Sequence, residues 1–350
     1  MSSVNTLEIC LPDDWHLHVR DGEFLPDLLR HTASQFGRAI IMPNLKPPVT
    51  NADMAIAYKT RILNALPPGS NFEPLMVLYL TDNTSADDVK RAKEVGVVGF
   101  KLYPAGATTN SDAGVTDIKK CADALDAMSD CGMPLLVHGE VTHSEIDVFD
   151  REAVFIDQVL EPLRERHPGL KVVFEHITTK QAAQYVESAD TTRFGAIAAT
   201  ITPQHMLYNR NAIFTGGIRP HYYCLPILKR EEHRQELVRV AISGNPRFFL
   251  GTDSAPHLKG TKENACGCAG CYTAWHAMPL YAEVFDAADA LSRLEGFASQ
   301  FGPDFYGLPR NTGKLTLRRE TQQIPNEFPM GNGTVVPLRA GETIAWSIVG

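Results

Sequence analysis

The sequence predicts an α/β fold, a (β/α)8 barrel, and three observations carry that prediction. Eight β-rich runs alternate with segments whose apolar residues fall near helical spacing. The alternation occupies roughly 250 residues, the usual size of such a barrel. Polar residues able to bind a metal stand at the C-terminal ends of run after run, which is the end where barrel active sites form.

The first run, Leu7–His18, finishes in His16-Leu17-His18, two residues before Arg20. Residues i and i+2 of a strand share a face, so these two imidazoles can grip one cation. The runs that follow are Arg38–Asn44, Glu73–Leu80, Val97–Tyr103, Met133–His138, Lys171–Ile177, Phe194–Ile201 and Arg247–Asp253. Asn44, Lys101, His138, His176 and Asp253 sit at or near their ends. Ser85–Val95, Thr116–Cys131 and Asp150–Arg166 read as helices between them. Ser85 followed by Asp88 predicts a capping box with Asp in the place of Glu or Gln. There is no internal repeat, low-complexity tract or linker, so residues 1–350 read as a single barrel domain. From about Ala274 a helical extension is expected, ending in a candidate closing strand over Glu342–Val349.

Composition narrows the function classes. The chain has 350 residues, 44% apolar, enough for a large core. A net charge of −8 argues against a nucleic-acid surface, which would carry a basic excess. No apolar run reaches the roughly 18 residues that cross a bilayer, so no membrane partner is expected. Met1-Ser2-Ser3-Val4-Asn5 shows no basic start with an apolar stretch behind it, so no secretory signal is read there. Seven unevenly spaced cysteines fit a reducing, cytoplasmic home. Cys266, Cys268 and Cys271 offer three thiolates, but a structural zinc site wants four ligands, usually as two separated pairs. A Gly-rich loop of reduced thiols near the active face is the simpler expectation.

Taken singly, each candidate has a plain reading. A histidine at a strand end is more often hydrogen-bonded structure than ligand, a lysine is usually a rim residue, and an aspartate before Ser-Ala-Pro is usually a turn or cap. Six such residues on one face of one barrel are better explained by one metal site. Four imidazoles and a carboxylate suit zinc, with manganese or cobalt as substitutes. Lys101 fits that set only without its charge. Carbamylation removes the charge and leaves a carboxylate able to bridge two ions, and desolvation of the amine favours the reaction. Arg20 presents a planar fork suited to a carboxylate. The Gly- and Thr-rich segment Ala105–Asn110 suits a lid.

These motifs resemble one family closely. His16-Leu17-His18-Val19-Arg20, Met42-Pro43-Asn44, Gly99-Phe100-Lys101-Leu102-Tyr103-Pro104, Leu136-Val137-His138-Gly139-Glu140, Phe174-Glu175-His176-Ile177 and Gly251-Thr252-Asp253-Ser254-Ala255-Pro256-His257 are similar to those of the dihydroorotases. The likeness is to the compact, single-function bacterial type of the amidohydrolase superfamily. It extends to His221-Tyr222-Tyr223-Cys224-Leu225-Pro226 and to the Cys-Gly-Cys-Ala-Gly-Cys loop. The resemblance implies a metal-dependent amidohydrolase barrel that interconverts N-carbamoyl-L-aspartate and L-dihydroorotate in pyrimidine synthesis. It implies two zinc ions: His16, His18 and Asp253 on the more buried one, His138 and His176 on the other. N6-carboxylated Lys101 and a water or hydroxide would bridge them, with Asp253 shuttling the proton. Arg20, Asn44 and His257 would hold the substrate carboxylate, Leu225 and Ala269 would meet the ring, and Thr108 and Thr109 would close over it. A homodimer is also implied. Two rivals remain at this point: another cyclic amidohydrolase of dihydropyrimidinase or hydantoinase type, and an inactive homologue acting as a scaffold.

Overall fold

Residues 5–349 are described by the computed structural model; Met1–Val4, part of the segment read above for a secretory signal, lie outside the described residues. Eight parallel strands stand side by side in chain order: Asp13–Leu17, Arg38–Ile41, Glu73–Tyr79, Gly99–Leu102, Leu135–Val137, Val172–Phe174, Ile197–Ile201 and Phe248–Leu250. The last meets the first. Leu17 bridges Ser254 in parallel, and the Asp253 N–H donates to the His16 carbonyl at 2.9 Å. Helices alternate with the strands, and the (β/α)8 expectation is met.

The strand period sorts the apolar side chains. Ile40, Val77, Leu136, Val173, Ala198 and Phe249 pack together as one buried cluster inside the barrel. Their chain neighbours Ile41, Leu78, Val137, Phe174, Ala199 and Leu250 belong to a second cluster shared with the helix residues Leu29, Ile62, Val89, Leu125 and Val186. A parallel barrel buried on both faces requires this division. The barrel is plugged at the end where its strands begin. There Trp15 stacks on Tyr306 with ring centroids 4.6 Å apart. Tyr306 ends the helix Phe301–Tyr306, whose Gly302 has no room for a side chain, since a Cβ would come within 1.9 Å of the Trp15 indole nitrogen. The capping box is present: the Asp88 N–H donates to Ser85 Oγ at 3.2 Å, and the Ser85 N–H donates to Asp88 Oδ2 at 2.9 Å.

Three expected elements differ. The run Leu7–His18 is two strands, because Pro12 brings no N–H to a ladder. Thr6–Cys10 leaves the barrel and pairs antiparallel with Lys314–Arg318. The segment beyond Ala274 carries the helices Ala277–Ala287 and Phe301–Tyr306 but then returns to short strands, so it is not helical throughout. The closing strand over Glu342–Val349 becomes Thr343–Ile344 and Ser347–Ile348, paired with Gln322–Gln323 and Lys314–Arg318 and not with the barrel.

Candidate active site

The strands stop where the polar residues begin. His138 directly follows Leu135–Val137, His176 comes two residues after Val172–Phe174, and Asp253 three after Phe248–Leu250. Lys101 lies within Gly99–Leu102 on the barrel's inner face. The first strand slips register against its neighbour between Asp14 and Leu17, a bulge-like irregularity of the kind that re-aims side chains beside active sites. His176 and Asp253 hold positive φ angles of 39° and 44°, and Arg20 one of 55°. Non-glycine residues rarely adopt that region, and clusters of them mark sites that their surroundings hold in place.

These residues meet in one small cavity. It is lined by His16, His18, His138, His176 and Asp253 on the inner side, and by Arg20, Asn44, Thr108, Thr109, Leu225 and Ala269 towards the mouth. Two of the expected residues do not line it. Lys101 is completely buried beneath, and His257 stands behind Arg20. His16, His18 and Asp253 form a compact group, with ligand atoms within 4.8 Å of one another. The rings of His138 and His176 are 4.8 Å apart, as are those of His16 and His176.

Two carboxylates that the sequence reading left without a role orient the imidazoles. His16 Nδ1 donates to Glu175 Oε2 at 2.6 Å, which leaves Nε2 facing the cavity. The Thr200 hydroxyl donates to the same oxygen at 2.7 Å. His138 Nε2 donates to Glu140 Oε2 at 2.8 Å and leaves Nδ1 free. Metal-binding histidines almost always hand their second nitrogen to such a partner. Burial acts to raise Glu140, but the hydrogen bond from His138 together with the charges of His138, Lys229 and Arg151 outweighs it and holds the carboxyl below its usual range. Burial pushes Glu175 up to about 7, with Lys101 pulling against it. Tyr103, two residues after Lys101 and so on the same strand face, also lines the cavity, and its hydroxyl is buried with no partner. That i+2 spacing is the signal by which it could have been found.

The donor set fits a metal centre. Burial holds His16, His18 and His176 below the ordinary imidazole value, in the neutral form that binds a cation. Burial also brings the Lys101 amine down to about 8. Its Nζ has no hydrogen-bond partner, and neither does His176 Nδ1. An unsatisfied buried donor is costly, and conversion of Lys101 to a carboxylate beside cations would remove that cost.

At the mouth, Arg20 Nε donates to the Pro256 carbonyl at 2.7 Å, and no carboxylate among the described residues pairs with its guanidinium. His257 Nε2 lies 3.0 Å from Arg20 Nη2 and 2.9 Å from the Ala269 carbonyl. Burial, with Arg20 nearby, drives this imidazole down to about 2, so it is neutral. A neutral Nε2 cannot both accept from Arg20 and donate to Ala269, so only one of the two contacts is a hydrogen bond at a time. The Ala105–Asn110 segment lies over the cavity. Asn44 Nδ2 donates to the Thr109 carbonyl at 3.1 Å, and Asn110 Nδ2 donates to the Asn44 carbonyl at 3.1 Å.

A barrel with this ring of residues at its mouth defines an amidohydrolase, and residues 13–320 match the model of the amidohydrolase family. A dihydroorotase of Cupriavidus pinatubonensis is 69% identical over 341 residues, 97% of this chain and 98% of its own length. The crystal structure of dihydroorotase from Campylobacter jejuni superposes with a TM-score of 0.90 at 37% identity, covering 100% of this chain and 99% of the other. Dihydroorotase of Saccharomyces cerevisiae, solved with 5-fluoroorotic acid, gives 0.88 at 33% identity, with 99% of each chain covered. The chain belongs to the dihydroorotase family and is a cyclic amidohydrolase; the hydantoinase-type alternative is not favoured. Among the described residues no helix is long and apolar enough to cross a membrane.

Proposed function

We propose that this enzyme interconverts N-carbamoyl-L-aspartate and L-dihydroorotate in the cytoplasm, as a step of pyrimidine synthesis, and works as a homodimer of single-domain barrels. His16, His18 and Asp253 would hold one zinc ion and His138 and His176 a second, with N6-carboxylated Lys101 completing the ligand set. A metal pair, when bound, lowers the pKa of water and polarises a carbonyl, two things an unactivated ring amide requires.

The chain's own residues do the rest. In the hydrolytic direction the attacking water gives a proton to the Asp253 carboxylate. Asp253 delivers it to the ring nitrogen as the carbon–nitrogen bond breaks, and cyclisation runs the same transfers backwards. Arg20, Asn44 and His257 take the substrate carboxylate, Arg20 through two parallel N–H donors. Leu225 and Ala269 meet the ring. Thr108 and Thr109 close the mouth, exclude water and add hydroxyl donors.

The observation that carries this reading is a guanidinium at the mouth, Arg20, that no carboxylate among the described residues pairs with, set above the buried His16, His18, His138, His176, Lys101 and Asp253. A hydantoinase-type substrate has no carboxylate for Arg20 to hold. The test is turnover of dihydroorotate by metal-assayed enzyme beside an uncharged cyclic amide. Preference for the uncharged ring would contradict the proposal.

A further inference from the structure

Lys262 ends the short helix Lys259–Lys262, and it is only 4% exposed. Its Nζ donates to three backbone carbonyls: Tyr223 at 3.0 Å, Cys268 at 2.8 Å and Gly270 at 2.6 Å. No carboxylate among the described residues pairs with it, and the adjacent Glu263 is engaged by His221 at 2.9 Å. An ammonium has three donors and no acceptor, so this one is fully used by main chain. Burial of an amine is tolerated when every proton is met in this way.

The carbonyls belong to two separate segments. Tyr223 leads into Cys224 and Leu225, one wall of the cavity. Cys268 and Gly270 flank Ala269, the facing wall. The Gly270 N–H also donates to the Tyr223 carbonyl at 3.0 Å. Within 268–270 the outer two carbonyls point to Lys262, and the middle one, of Ala269, points away. It faces the mouth groups, accepting from Thr109 Oγ1 at 3.5 Å and lying 2.9 Å from His257 Nε2. There is no slack in this wall: at Gly270, φ is 153° and a Cβ would come within 2.5 Å of the Ala255 carbonyl.

We propose that Lys262 is a positioning residue for substrate recognition: its ammonium ties the Tyr223–Leu225 and Cys268–Gly270 segments into one wall and sets the direction of the Ala269 carbonyl. The inference rests on the proposed function, because the wall it aligns is the one assigned to the substrate ring. Lys262 touches neither the ring nor the metal ligands, so it acts on binding and not on the proton transfers.

The test uses the full-length, metal-loaded enzyme with Lys262→Met, which keeps an unbranched side chain one atom shorter and removes the donors. The expected result is a KM for dihydroorotate raised about tenfold or more with kcat within about threefold, the pattern of an interaction lost equally from ground and transition states. Metal content should be unchanged. Alkylation of half-buried Cys268 by iodoacetamide should become faster, with exposed Cys266 as the reference thiol. A kcat loss at unchanged KM, or no change in either, overturns the proposal. Lys262→Gln, which keeps an amide donor, is judged by the same criterion if the Met variant does not fold, and failure of both to fold makes Lys262 a stability residue and also overturns it. Wild-type turnover tests the functional reading separately. Alkylation needs no turnover, so an unchanged Cys268 rate sinks this inference whichever way that reading falls.

Discussion

His16 and Glu175 stand on the first and sixth barrel strands' ends and share one proton across 2.6 Å, Nδ1 donating to Oε2. The bond fixes the imidazole so that only Nε2 is presented to Asp253 Oδ1, 3.4 Å away. The carboxylate is itself held by Thr200, so a chain of three buried side chains aims one ligand. Glu175→Gln keeps the shape and removes the charge that steadies the tautomer. Such partners are typically worth about 10–100-fold in metal affinity or activity. Chelator competition should show a loss of that size at the site containing His16, and unchanged affinity would mean Glu175 is only packing.

Arg20→Lys keeps the charge and loses the planar fork. We expect kcat/KM for dihydroorotate to fall about tenfold or more, from a charged hydrogen bond worth roughly 1.5–3 kcal/mol. Steady-state kinetics on an uncharged cyclic amide should not show that loss. Equal losses on both substrates would make Arg20 structural.

The role given to Asp253 separates turnover from binding. Asp253→Asn should depress kcat by about 10²–10⁴-fold, the usual worth of acid–base catalysis, while some metal stays bound. A change of less than about tenfold would remove the proton-shuttle role.

The loop over the mouth offers a third separation. Replacing Thr108 and Thr109 together with alanine should lower turnover and leave the metals in place. Hydrogen exchange across Ala105–Asn110 should slow when a dihydroorotate-like inhibitor binds. Near-normal kinetics, with exchange blind to the inhibitor, would reduce the loop to a connection.

The barrel and the cavity were legible because their signals are local. Each β-rich run shows in a few residues, and a ligand at a strand end is visible from the run before it. What escaped depends on distant parts of the chain. Nothing in Thr6–Cys10 says that it pairs with Lys314–Arg318 instead of continuing into the barrel. Glu140 and Glu175 stood inside quoted motifs, but their work appears only once the free nitrogen of each histidine is known. Nothing in the sequence marks Lys262, and its burial comes from three carbonyls, two within eight residues and one 39 residues away. Tyr103 was within reach, since its i+2 spacing from Lys101 puts both on the inner face.

If Lys101 closes a two-metal site, the metal content of wild-type enzyme and of Lys101→Ala will differ, and dihydroorotate turnover recorded on the same samples will follow it. Two zinc ions are expected per wild-type subunit. Lys101→Ala should lose the second metal and most activity, with short carboxylates added to the buffer restoring part of both. A Lys101→Ala enzyme that keeps two metals and full turnover would contradict that role for Lys101.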